Sequence, residues 1–208
     1  MINRKELKLK AKDYAFNNKW VIWKPILIFV LLSIGISLLG GLISGIFNNK
    51  VVNLIINIIV SLATLPISFA MVEYIMKAIH GKEVNITDVF VNKYKLFVPI
   101  LIMAIVMSVI VGIGFILLII PGIILALRYA MTGYLVAEAE ENLDAIATLK
   151  KSAKMMDGHK WEYFVFQLSF IGWLILGELT LGILYIWVVP YMTTANIYYF
   201  EELKKLEK

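Results

Sequence analysis

Two ionisable residues stand well inside long apolar stretches, Glu73 and Arg128, each seven residues after a proline, Pro66 and Pro121. A charge within a membrane span costs at least roughly 2.5–3.5 kcal/mol and faces a partner or water. An acid and a base at corresponding positions therefore raise three readings. They form a buried ion pair, they snorkel separately to the headgroups, or they line a substrate or ion site. The spacing makes the pair the leading expectation.

Other chemistry is sparse. The chain has no cysteine, which excludes disulfides, thiolate catalysis and zinc–thiolate sites. Its two histidines, His80 and His159, lie beside glycines between the apolar stretches. No metalloprotease helix, nucleophile elbow, phosphate-binding loop or pair of in-span carboxylates is present. No cofactor and no metal is expected, and the chain is expected not to be an enzyme. The acidic group Glu138, Glu140, Glu141 and Asp144 reads as a solvated helix start, with Asp144 as the cap of the basic helix that follows.

The elements that must position Glu73 and Arg128 are membrane spans. Of 208 residues, 61% are apolar and 17% charged, and mean hydropathy is +0.83, well above the roughly 45–50% apolar usage of soluble domains. Residues 25–47 carry no charge over 23 residues and residues 96–127 none over 32, against the ~20 needed to cross the hydrocarbon. The fold class is all-α, a polytopic membrane helix bundle forming one domain over 1–208. Six spans are expected, at about 23–47, 51–78, 96–113, 115–137, 161–178 and 181–201. The turn of the second hairpin lies either at Gly112–Gly114 or at Pro121–Gly122, and the glycines leave better helix lengths.

Charge orients the spans. The N-terminal segment has seven Lys/Arg, residues 77–95 four, residues 138–160 four and the C-terminal tail three, whereas the other connections share only Lys50. Basic loops stay on the cytoplasmic side, so both termini and both long loops are expected there. The expected address is the bacterial plasma membrane.

A threefold repeat runs through the chain. Proline precedes tyrosine by eight residues at Pro66/Tyr74, Pro121/Tyr129 and Pro190/Tyr198. Each hairpin also follows a basic segment, LKLKAKDYAFNNKW before the first and LKKSAKMMDGHKW before the third. Residues 1–22 are expected to lie in the interface. Residues 138–160 are expected to form an amphipathic interfacial helix, with Ile146, Leu149, Ala153 and Met156 on one face and Lys150, Lys151, Lys154 and Lys160 around it. Such lysines either only anchor the bundle or contact anionic headgroups on the cytoplasmic side. Membrane lipid, a second copy or another membrane protein are the expected partners; nucleic acid is not.

Within the spans, Asn53, Asn57, Ser61, Thr64 and Ser68 fall on one face of the second helix. They either line a water path or hydrogen-bond neighbouring helices. Gly41 and Gly45 make a small-residue face suited to close packing.

The stretch from Ile120 to Ile123, then Arg128–Tyr129, Ser152–Lys160, Leu168–Trp173 and Pro190–Tyr191 resembles a bacterial family of integral membrane proteins catalogued as a domain of unknown function. The resemblance is strong over about 110–200 and implies a multi-span fold at the inner membrane. More distantly, the chain is similar to the membrane domain of some glycerophosphodiester phosphodiesterases; without their soluble catalytic domain, that activity is not implied. The resulting expectation is a non-enzymatic envelope scaffold or modulator contacting lipid or membrane-active peptides. The alternative is a transporter or channel for a small solute or lipid with a site near Glu73 and Arg128.

Overall fold

The computed structural model describes residues 2–47, 49–140 and 142–207. Among them the regular structure is helical throughout. Asparagine or aspartate opens four of the helices, its side chain accepting backbone N–H groups that have no intrahelical partner. Asn3 caps α1 (Arg4–Asn17), Asn49 caps α3 (Lys50–Ile79), Asn85 caps α4 (Ile86–Lys95) and Asp144 caps α8 (Ala145–Met155). Asp144 does so through Ile146 and Ala147, at 2.9 Å each, as the sequence suggested. The remaining helices are α2 (Lys19–Phe47), α5 (Phe97–Leu117), α6 (Ile119–Arg128), α7 (Thr132–Glu138), α9 (Lys160–Leu168), α10 (Ile171–Leu179) and α11 (Tyr185–Leu206).

Five helical stretches are long and apolar enough to cross a membrane: Lys19–Ile46, Lys50–Ile79, Phe97–Leu117, Ile119–Glu138 and Lys160–Leu179. The fourth joins α6 to α7 through a break at 129–131, and the fifth joins α9 to α10 through one at 169–170. The sixth expected stretch, 181–201, is α11, which is 22 residues long but too polar to join that set. Its second half explains the difference. Residues 194–200 are buried on every side, so this helix faces protein, and protein tolerates the Thr, Asn and Tyr that lower its hydropathy.

The second hairpin turns at neither expected place. Leu118, in extended conformation (φ −164°, ψ 156°), alone separates α5 from α6. Gly114 and Gly122 instead let the two helices meet. A Cβ on Gly122 would sit 2.5 Å from the Phe115 ring, and one on Gly114 would sit 3.0 Å from the Gly122 Cα. Pro121 consequently lies in the first turn of α6, where a missing N–H is harmless. Pro66 and Pro190, by contrast, stand in the interior of α3 and α11. Near Pro66, the Ala63 carbonyl accepts the Tyr94 hydroxyl at 2.9 Å, which ties α4 to α3.

The core is polarised toward the basic ends of the hairpins. Ala11, Ile22, Ile75, Met131, Met156, Phe166, Ile197 and Phe200 are all fully enclosed in one cluster. Tyr199 stacks on Phe166 with centroids 4.9 Å apart, and Phe170 meets Phe166 edge-on at 5.1 Å. A second cluster joins Leu96, Ile100 and Met103 to Val136, Ala145 and Leu149. Toward the tips the helices instead expose large apolar residues, such as Leu42, Ile46, Val51, Ile116, Ile120, Leu179 and Ile183. Against water such a surface would drive aggregation; against lipid tails it is neutral.

Neither basic helix lies free on a surface. α1 buries Leu7, Ala11 and Ala15 against α11. Its Lys8 Nζ donates to Ser169 Oγ at 2.9 Å, and its Phe16 and Lys12 share a groove with Trp173 and Trp187. α1 reaches those tryptophans by packing along α11. α8 buries Ala145, Thr148, Leu149, Ser152 and Met155 against α5 and α7. The expected stripe is thus rotated: Leu149 and Met156 are buried, but Ile146 is 46% exposed. Packing on protein, rather than on headgroups, selected the face.

Candidate functional site

Glu73 sits near the end of α3 with a side chain 2% exposed, and its partner is not Arg128. Lys93 Nζ lies 2.8 Å from Glu73 Oε2, and Lys77 Nζ lies 2.7 Å from Oε1. Lys77 is one helical turn along α3 and continues to Glu140 Oε1 at 2.9 Å. Each carboxylate oxygen thus faces one ammonium.

Lys93 is the element that sequence reasoning missed. Its side chain is 0% exposed, and it donates to the Val136 carbonyl at 2.8 Å, to Ala137 at 3.0 Å and to Ala139. These carbonyls close the C-terminal end of α7, where the helix dipole is negative and the last C=O groups lack partners. One ammonium therefore binds α4 to the acid of α3 and to the end of α7. Burial pulls Lys93 below the ordinary lysine range, and the Glu73 hydrogen bond and charge work against that. The sequence did hold a signal. Val89, Lys93, Leu96 and Ile100 follow helical spacing, and all four are buried, so Lys93 occupies an apolar register position.

Arg128 belongs to a second site. It ends α6, its side chain is exposed, and it lines a cleft of about 510 Å³ with Val106 and Ile110 of α5 and with Tyr129, Lys150, Lys154 and Asp157. The Arg128 carbonyl accepts Ser152 Oγ at 3.3 Å, which ties α8 to this corner. The two charges thus part: Glu73 pairs with Lys93 of α4, and Arg128 lines a cleft with Val106 and Ile110 of α5.

The other expected residues scatter. Pro66, Pro190 and Tyr198 are buried, whereas Tyr74, Pro121 and Tyr129 are half-buried. Lys150 and Lys154 line the Arg128 cleft. Lys151 faces a different one with Glu138, Asn142 and Asp144, and Lys160 binds Asp157 at 3.0 Å. The polar line on α3 turns back on its own helix. Ser61 donates to Asn57 O at 2.8 Å, Thr64 to Ser61 O at 2.9 Å and Ser68 to Leu65 O at 2.8 Å. Asn53 is half-buried and Asn57 exposed. These hydroxyls therefore neither bridge helices nor present a continuous path.

Polar bridging between helices occurs elsewhere. Tyr163 Oη and Gln167 Nε2 on α9 donate to Asn196 Oδ1 on α11 at 2.9 and 2.6 Å. The small-residue contact is also displaced by one position. A Cβ on Gly40 would meet Val60 at 2.7 Å, while Gly41 and Gly45 have nothing within 4 Å.

The acidic group is spent residue by residue. Glu138 binds Lys204, Glu140 binds Lys77 and Asp144 caps α8; Glu141 lies outside the described residues. Among the described residues no cluster of three His, Asp or Glu could hold a metal.

Residues 109–207 match the family described as "Protein of unknown function (DUF975)". The match begins within α5 and covers the Arg128 cleft's α6 and α8 walls, the break at 129–131 and all of α11. Lys93 and Glu73 lie outside it. No curated protein matches the chain, and no solved structure does.

Proposed function

We propose that the protein is a non-enzymatic scaffold or modulator of a bacterial plasma membrane. In this reading six helices cross the bilayer as three related hairpins, with both termini and the basic loops in the cytoplasm. α11 is the sixth crossing, shielded from lipid over much of its length. The basic end of the bundle faces the anionic leaflet, where it contacts lipid, membrane-active peptides or another membrane protein, including a second copy.

The observation that carries this reading is the polarity of the molecule. Along the sequence, Lys/Arg gather in the N-terminal segment and in residues 77–95 and 138–160, whereas the hairpin tips expose apolar side chains and the enclosed core lies away from them. Excess Lys/Arg marks a cytoplasmic side. Enclosed packing there suits a surface that docks, while the lipid-facing helices serve as its anchor. The transporter reading needed Glu73 and Arg128 to share one site. Glu73 is instead held by two lysines, and Arg128 lines a separate cleft that Glu73 does not reach.

Proteoliposome flux is the test. The purified chain, reconstituted at defined orientation, is expected to give no saturable movement of ions, amino acids or lipid analogues above that of empty liposomes. Sustained saturable flux of any of them would replace this reading with the transporter.

A further inference from the structure

The Arg128 cleft carries charge that the protein does not itself neutralise. Among the described residues no carboxylate lies within ion-pair distance of Arg128, Lys150 or Lys154. The one acid lining the cleft, Asp157, is engaged by Lys160 at 3.0 Å. Three cations against one carboxylate leave two positive charges in a space of about 510 Å³. Lys150 and Lys154 are four residues apart on one face of α8, where like charges repel unless an anion lies between them.

The opposite wall is apolar. Val106 and Ile110 line the cleft, and the neighbouring stripe Val98, Ile102, Ile105, Val109 and Ile113 is exposed along α5. A ligand that fits both walls joins a compact anion to hydrocarbon.

We infer that this cleft binds the phosphodiester headgroup of an anionic phospholipid, with its acyl chains along α5. The Arg128 guanidinium presents parallel N–H donors to two phosphate oxygens, and Lys150 and Lys154 act as point charges beside it. The assignment rests on reading the chain as a membrane protein whose basic end faces the anionic leaflet. A second basic cleft, of about 500 Å³, lies between α1 and α9 with Arg4, Lys5, Lys8 and Lys12. Lys8 there is already bonded to Ser169 and stacked 4.6 Å over Phe170, which makes α1 the internal comparison.

The experiment is native mass spectrometry of the full chain in detergent, titrated with phosphatidylglycerol, phosphatidylcholine or glycerol phosphate. Wild type is expected to retain phosphatidylglycerol about tenfold better than phosphatidylcholine. R128Q/K150Q/K154Q is expected to lose that preference about tenfold, and K5Q/K8Q/K12Q to keep it. R128Q alone is expected to weaken binding and R128K to restore most of it. This single-site pair decides the matter should the triple variant elute as aggregate.

If wild type shows no preference for the anionic lipid, this site falls, while flux in proteoliposomes is what overturns the reading beneath it. If the preference survives R128Q/K150Q/K154Q but not K5Q/K8Q/K12Q, only the cleft is wrong. Binding of glycerol phosphate as tight as that of the lipid would overturn the assignment of a lipid ligand.

Discussion

Lys93 Nζ and Glu73 Oε2 meet 2.8 Å apart, with neither side chain more than 2% exposed. Removing one member of a buried pair leaves an uncompensated charge and costs about 3–5 kcal/mol, whereas replacing both by apolar residues is far milder. K93M and E73L are each expected to lower the melting temperature in detergent sharply, and E73L/K93M to recover much of it. Melting curves in which both single variants match wild type would show that the pair does not hold α3, α4 and α7 together.

Asn196 accepts from both Tyr163 and Gln167 and donates to the Met192 carbonyl at 2.8 Å. Asn196→Ala leaves the buried Tyr163 hydroxyl without an acceptor, a loss of about 1–3 kcal/mol. Tyr163→Phe removes donor and demand together and is expected to cost less. Thermal denaturation of both variants checks the ordering, and equal losses would contradict it.

The α5–α6 contact predicts a contrast between glycines. Gly122→Ala places a Cβ 2.5 Å from the Phe115 ring, and Gly41→Ala places one in open space. Overpacking of this kind costs about 1–3 kcal/mol, while Ala for Gly in an open helix position is neutral to stabilising. Gly122→Ala is expected to melt earlier and Gly41→Ala no earlier than wild type. A destabilised Gly41→Ala would instead place Gly41 in a contact between copies.

The Lys77 ammonium beside Glu140 holds its carboxyl below the usual carboxylate range. A depressed folded value stabilises the fold above the unfolded glutamate value, and that contribution is lost as pH falls through the depressed one. Glu140 is largely exposed, so the contribution is under about 1 kcal/mol. Carboxyl-resolved NMR is expected to show Glu140 titrating low in wild type and returning toward the ordinary range in K77Q. An unchanged midpoint in K77Q would remove Lys77 as the cause.

Helices declared by uninterrupted apolar length were legible from sequence: α2, α3 and α5 begin or end close to the expected positions. Features set by contact were not. The tip at Leu118 carries no turn residue, because the geometry comes from Gly114 and Gly122 packing across it. The importance of Glu73 was visible in its isolation, but its partner was hidden in a segment whose lysines read as a basic edge. α11 was expected as an apolar stretch like the others, and its shortfall in hydropathy was not legible, since burial in protein relaxes the demand for apolar side chains. The faces of α1 and α8 depended on which helices they meet, which a single amphipathic pattern does not specify.

Single-cysteine labelling tests the arrangement of the hairpins most directly, because the chain has no native cysteine. Glu83, Asn142 and Lys205 are exposed near the basic end, and Lys50 and Ile183 are exposed near the tips. In intact cells a membrane-impermeant maleimide is expected to label Lys50→Cys and Ile183→Cys, and to reach Glu83→Cys, Asn142→Cys and Lys205→Cys only after the membrane is opened. Labelling of Glu83→Cys or Asn142→Cys from outside, or of Ile183→Cys and Lys205→Cys from the same side, would contradict six crossings with the basic end within the cell.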